Sequence, residues 1–79
     1  MNRRPYHIEL IEKLSQNKVP LIFVKQIDYW IKNKKFKEIN NIPDPKVKKF
    51  AELKLEWENF KSQNIISKDE IEELERLYL

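Results

Sequence analysis

The sequence predicts an all-α protein, a small bundle of about four helices ending in an antiparallel helical hairpin. Three observations point there. Apolar residues recur at spacings of three and four along most of the chain, prolines and asparagines stand at the breaks between these runs, and two of the runs begin with explicit capping residues. The longest run, DPKVKKFAELKLEWENFKSQN from Asp44 to Asn64, is the spine of the expected core. Asp44 is a good N-cap, and Pro45 has its φ already set for the first helical position. Phe50, Leu53, Trp57 and Phe60 form the central stripe, with Val47, Ala51 and Leu55 widening it. So much apolar surface needs cover from the segments before and after it.

Residues 5–17, PYHIELIEKLSQN, read as the first helix, with Ile8, Ile11 and Leu14 on one face and Leu10 beside them. A second helix runs from about Pro20 to Asn33 on the period of Phe23, Val24, Ile27, Trp30 and Ile31. A strand through residues 21–24 competes with it, because a short apolar run with β-branched and aromatic residues is ambiguous by pattern alone. Such a strand would have no partner in the chain. Residues 34–42 continue as a short helix or a frayed extension, with Phe36 and Ile39 turned inward. Pro43 and Pro45 then force extended backbone at Ile42 and Asp44.

The last element is the clearest local signal. In IISKDEI, Ser67 is placed as N-cap with Glu70 three residues on, a capping box, and Ile66 and Ile71 flank it as a hydrophobic staple. The expected helix covers residues 68–78, with Ile71, Leu74, Leu77 and Tyr78 inward and an acidic first turn that suits the helix dipole. Together with the spine it makes the hairpin. This stretch, Leu53 to Leu79 with NIISKDEIEELERLYL, resembles the SHOCT module, in which a helix leads into a Gly-Ile-Ile-Ser/Thr turn, an acidic pair and a Leu-rich helix. Asn64 stands where that pattern has glycine, and the likeness covers about a third of the chain. The expected core is Ile11, Leu14, Phe23, Ile27, Phe50, Leu53, Trp57, Phe60, Ile71 and Leu74.

Seventy-nine residues suffice for one domain, near the lower end of what folds unaided. No cysteine is present, so disulfides are excluded and a reducing compartment is permitted. No stretch is apolar for the ~20 residues that span a bilayer, and residues 1–5 do not lead into a signal-peptide core, so a cytoplasmic protein is the expectation. The chain also lacks glycine. Phosphate-cradling loops, dinucleotide fingerprints and nucleophile elbows are excluded in their usual form, and left-handed caps fall to Asn17, Asn33, Asn40, Asn41 and Asn64.

Chemistry is sparsely provided for. His7 is the only histidine, expected at the surface, and with no cysteine an ordinary zinc site cannot be assembled within one chain. The carboxylates Asp69, Glu70, Glu72, Glu73 and Glu75 alternate with apolar positions as on a solvated helix face, without the cleft that acid-base pairs need. No catalytic, metal-ligating or cofactor-binding residue is assigned, and a non-enzymatic protein is expected.

Charge carries the functional colour. Residues 1–50 hold 12 Lys/Arg against 5 Asp/Glu, a balance of +7, and residues 51–79 hold 4 against 8, a balance of −4, which together give the net +3. The cations are densest at Lys32, Lys34, Lys35 and Lys37, and at Lys46, Lys48 and Lys49, with Arg3 and Arg4 at the start. If these segments lie side by side they form a basic face able to bind phosphates by counterion release. The leading expectation is instead another protein, met through Tyr29, Trp30 and the basic residues, since nine large rings are many for so small a core. Tyr29 and Trp30 are adjacent on a helix, so they point about 100° apart and cannot be buried equally. Nucleic-acid binding by the lysine face is the rival, attachment to a membrane surface a weaker one, and a homodimer would assist so small a fold.

Overall fold

The computed structural model describes residues 5–79, which form five α-helices: α1 (Tyr6–Gln16), α2 (Leu21–Lys32), α3 (Phe36–Asn40), α4 (Pro45–Ser62) and α5 (Lys68–Tyr78). Among the described residues there is no strand, so residues 21–24 are the first turn of α2, and residues 36–40 are a separate short helix. Three of the helices follow a proline or begin on one, at Pro5, Pro20 and Pro45. At α4 the Asp44 carboxylate accepts from the backbone N–H groups of Lys46 and Val47, at 2.8 and 3.3 Å. At α5 the Ser67 hydroxyl accepts from the Glu70 N–H at 3.2 Å. Both N-cap residues are those the sequence predicts, but of the expected capping box only the Ser67 half forms, and the Glu70 carboxylate lies beside His7 instead.

The helix ends use asparagine in two ways. Asn64 follows α4 with φ of 56°, the left-handed position where a glycine is usual. Asn17 and Asn33 keep negative φ and instead donate from their side-chain amides to the carbonyls of Lys13 and Tyr29, at 2.7 and 2.8 Å. The left-handed residue after α2 is Lys34, φ 57°. Its N–H donates to Ile31 and that of Lys35 to Trp30, so a Schellman motif closes the helix on a residue with a Cβ. A left-handed non-glycine residue costs roughly 1–2 kcal/mol. Lys34→Gly is therefore expected to raise stability by about 1 kcal/mol, read as a higher urea midpoint at unchanged slope.

The core is centred on α4. Trp57 and Ala51 have no exposed surface, and Val47, Phe50, Leu53 and Phe60 are buried beside them. α1 packs against both α4 and α5, contributing Leu10, Ile11 and Leu14, while α2 and α3 pack on each other and on α4, contributing Ile27 and Ile39. The α4–α5 hairpin is thus covered by α1, with Leu74 as its buried residue from α5. Rings pin α1 in place. His7 stacks on Phe60 at 5.4 Å between centroids, Phe60 on Trp57 at 6.0 Å, and Tyr6 tilts against Phe60 at 6.1 Å. The Tyr6 hydroxyl donates to Glu56, which raises its pKa to about 12. His7 Nε2 lies 3.6 Å from Glu70, so the first turn of α1 reaches carboxylates on both α4 and α5.

Five expectations about burial need correction. Phe23 and Phe36 are each 44% exposed, and Leu77 is 71% exposed. Ile71 is only partly buried, and His7 is half-buried under its ring contact with Phe60. The reason is common to the first three. α2, α3 and α5 each offer more apolar positions than the bundle covers, and neighbours decide which are left out.

Candidate functional site

α2 is the helix with the most apolar residues left over among those described. Eight of its twelve residues are apolar or aromatic, yet only Ile27 is fully buried. Leu21, Ile22, Val24 and Phe23 are consecutive, so at 100° per residue they point to every side of the helix and one core cannot take them all. Leu21 and Ile22 are 66% and 72% exposed. The helix forms a ridge with a hollow on either flank.

On one flank is an apolar pocket of about 250 Å³, walled by Phe23, Ile27 and Trp30 of α2, Ile42 and Pro43 of the following connection, and Val47 of α4. Its polar lining consists of Gln26, Glu38, Asn41 and Asp44, with no lysine. The Asp44 carboxylate is already engaged in the α4 cap. On the other flank a more open groove of about 460 Å³ is bordered by Tyr29, Asp28 and Lys32 of α2 and by Lys54 and Glu58 of α4. Lys54 Nζ is 3.7 Å from the Asp28 carboxylate across it. Trp30 is half-buried in the first hollow, and Tyr29, 55% exposed, stands at the second. The two adjacent rings thus serve opposite sides of the ridge.

Lysines surround the far end of the ridge. Lys32, Lys34, Lys35 and Lys37 are all exposed, and none of them is in an ion pair among the described residues. Lys46 and Lys49 are exposed and Lys48 half-buried, likewise unpaired. α3 packs on α4, which brings the two groups to neighbouring ends of the molecule. They do not line up as one flat face. With Val47, Phe50 and Ala51 buried, Lys46 and Lys48 flank the buried strip on opposite sides and Lys49 points away from it. Arg3 and Arg4 lie outside the described residues. The residues the sequence reading missed are Leu21, Ile22, Phe23 and Phe36. The signal for the first three was the unbroken apolar run, which was too wide for one buried stripe.

Elsewhere a polar network ties α4 to α5. Glu75 Oε2 accepts from Trp57 Nε1 and Lys61 Nζ, each at 3.0 Å, and Lys61 also pairs with Glu58. Burial would raise the Glu75 carboxyl, but the Trp57 and Lys61 hydrogen bonds, with the charges of Lys61 and Lys54, hold it below the ordinary value. Burial likewise opposes charge on Lys61, and the hydrogen bonds and charges of Glu58 and Glu75 raise its pKa nonetheless. Among the described residues no three His, Cys, Asp or Glu side chains are grouped to hold a metal, and no helix is long and apolar enough to cross a membrane. No protein-family model matches the chain, and no curated protein or solved structure shows a significant similarity to it. The likeness of the hairpin to the SHOCT module rests on its turn and capping pattern alone.

Proposed function

We propose that the protein is a non-enzymatic binding module of the regulator, adaptor or inhibitor kind, acting in the cytoplasm on another protein through the aromatic and basic surface of α2 and α3. The observation that carries this reading is the imbalance in α2, which fully buries Ile27 alone and leaves Leu21, Ile22, Phe23 and Tyr29 exposed. Trp and Tyr are the residues most often found as binding hot spots, and they act by filling, or lining, desolvated pockets. Here a bulky apolar side chain of the partner would enter the hollow beside Trp30, while a second contact would cover Tyr29. The unpaired lysines would speed encounter with an acidic partner and give the association its salt dependence.

The test is capture from a native lysate with wild type, Trp30→Ala and Tyr29→Ala, using Ile65→Ala as an exposed control away from α2. A partner held by wild type and the control, and lost by roughly tenfold or more with either ring variant, is the expected result. No partner, or one indifferent to both rings, would overturn the reading.

Nucleic-acid binding remains the second reading, favoured by one observation: seven clustered lysines without carboxylate partners. It predicts retention on heparin and DNA that falls with salt by about 0.9 log units per log unit for each phosphate contact. Changing Lys34, Lys35 and Lys37 to Glu should then abolish retention. The spread of Lys46, Lys48 and Lys49 around α4 counts against a continuous phosphate track.

A further inference from the structure

The hollow beside Trp30 has a charge opposite to that of its surroundings. Ile27 and Val47, both buried, form its floor, and Trp30 and Ile42, both half-buried, its walls. The polar residues of the lining, Gln26, Glu38, Asn41 and Asp44, are all exposed and so stand at the mouth. Residues 1–50 carry 12 Lys/Arg against 5 Asp/Glu. Yet two of those five acids, Glu38 and Asp44, line this hollow, and among the described residues no cation does.

Both carboxylates have acceptor capacity to spare. That of Glu38 makes no hydrogen bond or ion pair among the described residues, although Lys34 and Lys35 precede it closely in the chain. Asp44 commits Oδ1 to the N–H groups of Lys46 and Val47, which leaves Oδ2 for another donor. A neutral apolar guest would use the floor and walls and leave these acceptors to water. An anionic guest would meet two like charges at the mouth. A guest with an apolar body and a positive charge at its outer end uses the whole lining, and aromatic walls suit a cation as well.

We infer that the hollow selects an apolar group joined to a positive charge, and that the partner presents there a bulky apolar side chain beside a lysine or arginine. The inference rests on the protein-binding reading above and names what that partner brings to the site. Attraction then acts at two ranges. Lys34, Lys35 and Lys37 draw an acidic surface from a distance, and Glu38 and Asp44 choose a single cation within it at contact.

Three probes built on one phenyl group test this: phenethylamine, phenethyl alcohol and 3-phenylpropionate, a cation, a neutral molecule and an anion of similar size. Each is titrated at low salt into the isotope-labelled chain, and the amide signals of Asn41 and Ile42 with the indole signal of Trp30 report the hollow by NMR. The amine should bind about two- to fivefold more tightly than the alcohol, as an exposed ion pair allows, and the carboxylate most weakly. That order runs against the net charge of +3, which by itself would favour the anion. Trp30→Ala should weaken all three. Glu38→Gln should remove most of the amine's advantage, and Asp44→Asn added to it, which keeps a capping residue, should remove the rest. An alcohol held as tightly as the amine, a carboxylate preferred to it, no probe moving those signals, or a preference surviving the double variant would each overturn the inference. These titrations use the chain alone, so the two readings fail separately. A ring-dependent partner alongside probes indifferent to charge overturns this inference and leaves the binding function standing. An amine preference with no partner captured overturns the binding function and leaves the selectivity of the hollow.

Discussion

Trp57→Ala is expected to leave the chain largely unfolded at room temperature. The indole has no exposed surface and lies where α1, α4 and α5 meet, stacked on Phe60 and bonded to Glu75. Truncating a buried tryptophan costs about 3–5 kcal/mol, from lost transfer energy together with the cavity that remains. A domain of this size commonly has a total stability of only about 4–12 kcal/mol, and a core this small puts it toward the lower end. Far-ultraviolet circular dichroism and a urea melt would check the result. Trp57→Phe separates two contributions, because it keeps most of the ring volume and removes the N–H donor. A loss of about 1–3 kcal/mol is expected there. A Trp57→Ala variant that melts like wild type would mean that the centre of the bundle lies elsewhere.

The second large effect concerns Glu75 and acid. Its carboxylate is the shared acceptor of Trp57 and Lys61, so Glu75→Ala strands a buried indole N–H and leaves Lys61 with Glu58 alone. About 1–3 kcal/mol should be lost at neutral pH. Because the folded-state pKa of Glu75 is lowered from its ordinary 4.5, the carboxylate binds its proton less readily in the folded chain than in the unfolded one. Its contribution is therefore complete above the unfolded value and disappears as pH falls below 4.5 through the lower folded value. Lys61 behaves in the opposite sense. Its raised pKa gives a contribution present below 10.5 and lost as pH rises past that through the folded value. Urea midpoints measured from neutral pH to pH about 3 should fall more steeply for wild type than for Glu75→Gln, since the amide has no proton to take up. Equal slopes would show that the acid sensitivity of the fold comes from other carboxylates.

The helix boundaries were legible because their causes are local. Pro20, Pro45, Asp44 and Ser67 act on the backbone within a turn of where they stand, and the helices start where those residues direct. Burial is settled by neighbours. Phe23 and Phe36 have the right spacing for the core, but Ile27 and Ile39 take the available space from the same helices. The docking of α1 over the hairpin was also outside the reach of periodicity, which shows that a helix has an apolar face and not which surface receives it. His7 was misread for that reason, since its ring partner is fifty-three positions away at Phe60. In the candidate site, the division between Tyr29 and Trp30 followed from helix geometry alone. The exposed Leu21 and Ile22 did not, because the same run of residues also fitted a strand, and a strand would have buried them differently.

The two tryptophans occupy different environments, one sealed in the interior and the other half-open beside a hollow on α2. Their emission should divide accordingly. Trp57, screened from collisions, should glow toward the blue and be spared by dissolved iodide, whereas Trp30 should emit further to the red and be quenched. A molecule settling in the hollow would then dim or shift the red component alone, while loss of the fold would convert both, so the chain carries separate optical readouts for occupancy and for integrity without any added label.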